Sequence, residues 1–431
     1  MRAITIATTG LLAAGTLAAQ VPRRITLGEA LALAARNQPA MVQARQDVRV
    51  AEAQERQAFG AFLPSLSANV SSTRAGSERF NQQTGQIVST GDPYSENYRF
   101  SGNLDLFTGF KRGAQRRSAQ STTVLREASE LRQEYAVALS TKQAFFDALA
   151  AQELVEVART RLRRADEQLK LVSERLRLGA TTRSDSLRSR VEYGNAQLQL
   201  IQAEADLRTA QGNLGRAIGV QGMVGPAPDT VLESRLGALD TARLRSEALA
   251  AAPTVREAEA SVTAARAQVT VNRAAYFPTL SATGNTSWSR SSTQLFGGNP
   301  LTRQWSLALQ LSFPIFNGFQ RETNIVTADA NAVAAEARLR DARLLLEANL
   351  TQSFAALDAA AARIDVSQVS VAAAEEDLRM QRERYRLGAS TIIEVLTSQV
   401  SLDEAQVGLV RARYDYLVAR AQIEAYVGHS L

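Results

Sequence analysis

The chain has 431 residues, no cysteine and a single histidine, with a formal net charge of +6 and a sequence pI of about 9.8. Disulfides and thiolate chemistry are therefore excluded, and histidine-dependent triads and His-rich metal sites nearly so. Glycine-rich phosphate loops and the HExxH and GxSxG motifs are also absent from the sequence. We therefore expect no catalytic residue, no metal site and no cofactor.

The positive charge has two interpretations. A basic protein can bind nucleic acid, but here arginines alternate with glutamates and aspartates in stretches such as residues 159–179, and no long basic block occurs. Mixed charges of this kind are typical of solvated helix faces. The sequence therefore predicts no nucleic-acid partner.

Residues 1–19 have the pattern of a secretory signal peptide. Arg2 precedes an apolar run that ends in small residues, as expected for a charged n-region, an h-region and a cleavage site. The alternative is a buried N-terminal helix. After residue 20 the sequence contains no run of 18 apolar residues, so it predicts no transmembrane helix. An exported chain of this kind is free in the periplasm, secreted, or part of a β-barrel in an outer membrane.

The chain is a tandem duplication with a period of about 210 residues. Gly109 to Gly179 and Gly318 to Gly388 both span 70 residues, whereas the stretch before each pair differs in length between the copies. Fixed lengths indicate packing that depends on register, and variable lengths indicate surface loops. The predicted domains are a first repeat at residues 20–220, a linker at 221–240 and a second repeat at 241–431.

Each repeat is predicted to contain a long helical hairpin, at about residues 110–219 and 319–428. No Pro or Gly interrupts 114–178 or 319–387, and such a helix is roughly 100 Å long. The turns that follow are so short that the next helix must fold back antiparallel. Shorter helices are predicted at 39–61 and 253–276. Heptad seams are predicted at Val155, Leu162, Leu169 and Leu176; at Leu350, Leu357, Ile364, Val371, Leu378 and Tyr385; and at Ile393, Val400, Val407, Tyr414 and Ala421.

Two β-hairpins are predicted at about residues 62–108 and 277–316, where the apolar period changes to two. Each strand has about ten residues, which spans a membrane when tilted, and has one apolar and one polar face. The alternative is an ordinary sheet on a soluble core. Four strands cannot close a barrel, and open edges are not tolerated in lipid. The membrane interpretation therefore requires an oligomer.

These features together resemble the TolC-like outer membrane efflux proteins. The resemblance covers nearly the whole mature chain and rests on the duplication, the opening "ITLGEALALAARNQP", the junctions "LFTGFKR" and "PIFNGFQR", and the turns "LGATT" and "LGAST". It implies a mainly α fold with a small β part. Tandem-duplicated long helical hairpins would form an α-barrel tunnel, and four transmembrane β-strands per chain would close into a 12-stranded barrel in a homotrimer.

The resemblance also implies a function. It predicts the exit duct of a tripartite efflux pump, passively conducting small toxic compounds across the outer membrane, with a long periplasmic extension. The implied partners are a periplasmic adaptor and an inner-membrane transporter. Two alternatives stay open: an exit duct for type I protein secretion and, from another class, a soluble periplasmic coiled-coil adaptor.

The resemblance finally assigns candidate site residues near the two turns. In the family, residues matching Asp185 and Tyr385 take part, with an arginine, in bonds between adjacent helices of the closed channel. Ser390 stands in place of that arginine here, and Arg183 is the alternative partner. Glu394 matches the family position whose copies form an outer ring of carboxylates at the channel entrance. Thr397 occupies the deeper position, where the family has a second acidic residue. The turn glycines also fit the left-handed residue that ends a helix. Thr182-x-x-Asp185 and Thr391-x-x-Glu394 also fit capping boxes. These structural roles are compatible with the docking and channel roles that the resemblance implies. The adaptor-docking residues are Leu178, Gly179, Ala180, Thr181, Thr182, Leu387, Gly388, Ala389, Ser390 and Thr391, and the entrance constriction is Asp185, Tyr385, Glu394 and Thr397.

Overall fold

The computed structural model describes residues 23–90, 94–227, 240–292, 294–297 and 299–429. The predicted signal peptide and residues 228–239 of the predicted linker lie outside the described residues. The chain divides into two compact units. The first consists of Met1–Pro39, Ala136–Leu239 and Ser353–Ile423, and the second of Ala40–Tyr135, Asp240–Gln352 and Glu424–Leu431.

Helices account for most of the described residues. Pro39 and Pro253 each begin a helix, a position where the missing N–H costs nothing. Among the described residues, no helix combines the length and apolarity needed to cross a lipid bilayer. In chain order the helices are α1 (Leu27–Asn37), α2 (Pro39–Gly60), α3 (Lys111–Arg177), α4 (Arg183–Ala217), α5 (Thr241–Ala251), α6 (Pro253–Arg273), α7 (Gln320–Arg386) and α8 (Ile392–Val427).

The predicted long helical hairpins are confirmed in the first unit. Arg161 on α3 binds Glu192 and Gln199 on α4, so α4 runs back along α3. In the second hairpin, Ser398 on α8 donates a hydrogen bond to Asp377 on α7. An apolar cluster holds these helices together and consists of Val172, Leu378, Tyr385, Ile392, Val395 and Leu402.

The α7 seam is confirmed, but two other predicted seams are partly wrong. On α8, Ile393 and Val400 are 51% and 37% exposed, and the buried face instead passes through Ile392 and Val395. This helix has apolar residues on two adjacent faces, so periodicity alone could not choose between them. On α3, Val155 is buried as predicted. Leu162, Leu169 and Leu176 are half-buried, while Ala158, Ala165 and Val172 are buried.

The second unit contains a four-stranded antiparallel sheet. Its strands are β2 (Ser65–Arg74), β5 (Tyr94–Phe107), β7 (Thr279–Ser292) and β8 (Thr302–Ser312), in the order β2-β5-β7-β8. Both predicted hairpins are present, and β5 pairs with β7 to join the two repeats into one sheet. In this single chain β2 and β8 are the edge strands.

The register places all the alternating apolar residues on the same face of this sheet. Val70 lies opposite Tyr98, which lies opposite Trp288, and directly opposed residues share a face. The other face is polar. The apolar face is exposed, with Trp305 and Leu307 both 74% exposed. Its residues include Leu66, Ala68, Val70, Tyr98, Phe100, Leu104, Leu280, Ala282, Trp288, Trp305, Leu307, Leu309 and Leu311.

Two further strand pairs were not predicted. A small hairpin of β3 (Ser77–Asn81) and β4 (Gln86–Thr90) lies between β2 and β5 in the chain. In the first unit, β1 (Arg23–Ile25) pairs in parallel with β6 (Val224–Pro226). Three-residue strands that pair across about 200 residues leave no periodic signal in the sequence.

Candidate functional site

The turns between the long helices close in the same way in both repeats. The first tip (residues 178–182) contains Gly179 at φ +71°, and the second tip (residues 387–391) contains Gly388 at φ +77°. In the first tip the Ala180 N–H bonds Arg175 O at 2.8 Å; in the second the Ala389 N–H bonds Arg384 O at 2.7 Å. This six-to-one bond over a left-handed glycine is a Schellman motif, which explains why both helices end at a glycine.

Thr182 restarts the chain as α4 through a reciprocal capping box. The Asp185 N–H donates to Thr182 Oγ1 at 3.2 Å, and the Thr182 N–H donates to Asp185 Oδ2 at 3.3 Å. The Thr181 hydroxyl also donates to Asp185, at 2.9 Å. Burial raises the pKa of Asp185, but the hydrogen bonds from Thr182 and Thr181 outweigh it and leave that pKa below its ordinary value.

Glu394 is held in a similar way at the start of α8. Its backbone N–H donates to Thr391 Oγ1 at 3.4 Å, while the hydroxyls of Ser390 and Thr391 donate to its carboxylate at 2.8 and 3.3 Å. The hydrogen bond from Ser390 holds the pKa of Glu394 below its ordinary value. The exposed Glu394 side chain is therefore ionised at neutral pH and fixed in direction by two hydroxyls.

The structure brings the two hairpin ends together. Arg175, near the end of α3, donates to the Tyr385 carbonyl at 2.7 Å and lies 4.8 Å from the Tyr385 ring centroid. Tyr385 is buried, and a cation held over an aromatic ring adds attraction. Leu178 and Leu387, one in each tip, are 75% and 78% exposed. Each chain thus presents two neighbouring turns, each with an exposed leucine.

Asp185 and Tyr385 are not bonded to each other. The Asp185 carboxylate is engaged by Thr181, Thr182 and, at 4.0 Å, Arg188. The Tyr385 hydroxyl is buried and has no hydrogen-bond partner among the described residues. Thr397 is exposed on α8.

Sequence reasoning missed a buried group of charges further along the hairpins. Asp403 on α8 is bonded by Arg164 and lies 3.1 Å from Arg161 Nε, both on α3; Arg161 also pairs with Glu192 on α4 at 2.7 Å. Burial raises the pKa of Asp403 above its ordinary value, and the two arginines oppose that rise. These charges connect both hairpins. The only sequence signal was a carboxylate on the buried face of α8, beside Leu402.

Comparison with known proteins gives concordant matches. A family model described as outer membrane efflux protein matches residues 30–220 and 244–429. Outer membrane efflux protein BepC of Brucella suis is 23% identical over 426 residues, covering 96% of this chain and 88% of BepC. Alkaline protease secretion protein AprF of Pseudomonas aeruginosa is 27% identical over 298 residues, covering 66% of this chain and 60% of AprF. This chain therefore spans about three fifths of the length of AprF.

The fold also matches a solved structure. A crystal structure of CusC, described in connection with transmembrane channel formation, superposes with a TM-score of 0.77. The alignment covers 95% of this chain and 93% of that one, at 18% sequence identity. At this identity the likeness establishes the fold, with its long helices and small sheet.

Proposed function

The chain belongs to the outer membrane efflux protein family, and on that premise we propose that it forms the outer membrane exit duct of a tripartite efflux pump. The duct conducts small toxic compounds passively from the periplasm to the exterior and performs no catalysis. It works with a periplasmic adaptor and an inner-membrane transporter.

The exposed apolar face of the four-stranded sheet carries this proposal. β5 has 14 residues, more than the 9–11 that a tilted strand needs to cross a bilayer. In lipid, the unpaired edges of β2 and β8 would each cost several kcal/mol per unsatisfied group. Pairing β8 of one copy with β2 of the next satisfies both edges. Three copies, as the family resemblance implies, give a closed barrel of 12 strands.

The two tips are proposed as the adaptor-docking surface. They are equivalent by duplication, lie beside each other, and expose Leu178 and Leu387, so a trimer presents six similar turns. The Schellman closure gives each turn a defined shape, which a docking partner requires. Defined turns with one protruding apolar side chain suit helical hairpins of an adaptor, which can bury those leucines.

Glu394, Thr397, Asp185 and Tyr385 are proposed to line the entrance constriction. Three ionised Glu394 carboxylates around a narrow axis attract cations and repel anions. The exposed Thr397 adds no second ring of charge. The Tyr385 hydroxyl, which has no hydrogen-bond partner among the described residues, is proposed to bond a neighbouring helix in the closed assembly once it turns out of its buried position.

Type I protein secretion is the second candidate, and the name of AprF as a secretion protein favours it. The two candidates require different inner-membrane partners. A crosslinked pull-down from the native membrane would recover, together with the adaptor, a resistance-type pump in the first case or an ABC exporter in the second.

The decisive test of the duct itself has two readouts. Fractionation should place a heat-modifiable trimer in the outer membrane, and the purified trimer should form long-lived conducting channels in planar bilayers. A monomer in the soluble periplasmic fraction would refute the proposal and favour a soluble adaptor.

A further inference from the structure

The strand-to-helix junctions of the two repeats share a backbone conformation but differ in charge. Both junctions lie in the second unit. The first junction consists of Phe59, Phe62, Phe110, Lys111, Arg112 and Arg116. The second junction consists of Tyr276, Phe319, Gln320, Arg321 and Glu322. Phe110 and Phe319 have φ of +65° and +63°. Both phenylalanines are 67% exposed, at the helical end of the strands.

One arginine in each junction stabilises the turn from strand to helix through the same two kinds of contact. Arg112 donates to Leu106 O at 3.0 Å and lies 5.0 Å from the Phe62 ring centroid. Arg321 donates to Pro314 O at 3.3 Å and lies 4.2 Å from the Tyr276 ring centroid. These two arginines are therefore equivalent structural supports.

The charge around the two arginines differs. Arg321 is paired with Glu322 at 3.2 Å, and the first repeat has Gly113 at the position of Glu322. Lys111 and Arg116 add positive charge where the second repeat has Gln320 and Ile325. Among the described residues, no carboxylate pairs with Lys111, Arg112 or Arg116. The first junction is strongly cationic and the second is neutral.

The cations of the first junction lie among exposed aromatic rings. Arg116 is 5.5 Å from the Phe59 ring centroid, one helical turn along from the Arg112–Phe62 pair. Phe59, Phe62 and Phe110 are 52%, 41% and 67% exposed. Aromatic rings and snorkelling basic side chains are what the interface between hydrocarbon and lipid headgroups selects.

We propose that the first junction binds the phosphate of an anionic phospholipid in the leaflet nearest the helices, whereas the second junction does not. This inference rests on the proposed function, because it requires the sheet to lie in a membrane. The guanidinium groups supply planar donors that match a phosphate, and the aromatic rings contact the upper acyl chain. The lipid headgroup supplies the negative charge that Glu322 supplies in the second junction.

The test is lipid retention by the full-length protein. The protein is reconstituted in vesicles of phosphatidylethanolamine in which about a quarter of the lipid is phosphatidylglycerol, re-extracted in mild detergent, and its bound lipid is quantified by mass spectrometry. The variant is Lys111→Gln/Arg116→Gln, which leaves the backbone bonds of Arg112 intact. The matched control is Arg338→Gln/Arg340→Gln, which removes the same charge from exposed positions on α7.

The wild type should retain phosphatidylglycerol above its bulk share. In the junction variant, the ratio of retained phosphatidylglycerol to phosphatidylethanolamine should fall toward the bulk ratio, by up to about fivefold per removed charge, the effect of one basic side chain at an anionic surface. The control variant should keep the enrichment. An unenriched wild type, or a junction variant as enriched as the wild type, would overturn the inference while leaving the duct intact. Failure of the wild type to enter the vesicles would instead refute the proposed function, and this inference with it.

Discussion

Gly109 and Gly318 occupy equivalent positions of the duplication. Substituting each with alanine separates the cost of backbone strain, which both share, from the cost of steric overlap, which only Gly109 has. Both glycines are left-handed, with φ of +62° and +65°, where a side chain costs about 1–2 kcal/mol. A Cβ at Gly318 would meet no atom within 4 Å. A Cβ at Gly109 would overlap the Cβ of Phe277 and lie 2.9 Å from the Ala274 carbonyl oxygen.

The steric cost at Gly109 follows from what holds Phe277 in place. Carbon atoms pack at about 3.5–4.0 Å, so Phe277 would have to withdraw by roughly 1 Å. Its ring packs edge-to-face on Phe110, with centroids 5.5 Å apart. Overpacking of this kind costs about 1–3 kcal/mol. We therefore expect Gly318→Ala to lose about 1–2 kcal/mol and Gly109→Ala about 2–5 kcal/mol.

The assay is urea unfolding of the purified full-length variants in detergent, followed by circular dichroism. Gly85→Ala is the control, because Gly85 is also left-handed with open space around it, and it should match Gly318→Ala. If Gly109→Ala were no more destabilising than Gly318→Ala, the close packing of the first corner against Phe277 would be refuted.

Three further predictions concern the tips. Glu394→Ala should shift the reversal potential of single channels in planar bilayers toward lower cation selectivity, because it removes the proposed ring of charge; an unchanged potential would exclude the ring. Gly388→Asp should abolish adaptor pull-down while SDS-resistant trimers persist, because aspartate tolerates the left-handed region but adds charge to the tip; normal export by this variant would disprove docking there. Asp185→Ala should cost up to about 1 kcal/mol at neutral pH, because it removes the carboxylate half of the capping box and leaves the Thr182 half in place. Because the folded-state pKa of Asp185 is lowered, this difference is fully present above about pH 4 and should vanish as the pH falls through the folded-state pKa. A difference that persisted below that range would show that the carboxylate charge is not what stabilises the cap.

The sequence predicted the helical hairpins, both β-hairpins and the polarity of the sheet faces because each has a local signal. Two helices of 67 residues, with Gly113 in the first turn of α3 as their only Gly or Pro, leave a long periodic pattern, and strict alternation identifies β8. The capping motif at Thr182 was likewise readable, since its partners are three residues apart. The pairing of β5 with β7 has no such signal, because it joins segments almost 200 residues apart.

The α8 seam shows how a local pattern can mislead about a site. A second heptad, through Val395, Leu402, Leu409, Tyr416 and Ile423, is as apolar as the one counted from Ile393, so the sequence fits both. A seam through Ile393 and Val400 places Asp403 at its edge, three residues beyond Val400, and does not indicate that this carboxylate is buried. The structure buries the face through Ile392 and Leu402, and Asp403 with it.

The burial of Asp403 adds a charged contact between the two hairpins to the apolar one. A solvent-exposed carboxylate would contribute little, whereas buried Asp403 contacts Arg161 and Arg164 of the other hairpin. Removing one partner from a buried group of charges typically costs about 3–5 kcal/mol, although a well-packed apolar replacement of all partners can be neutral. We infer that this charged contact adds directional specificity between the hairpins, because its geometry is fixed where an apolar seam can slide. In the proposed duct, this contact therefore fixes α3 and α8 to each other in a defined geometry.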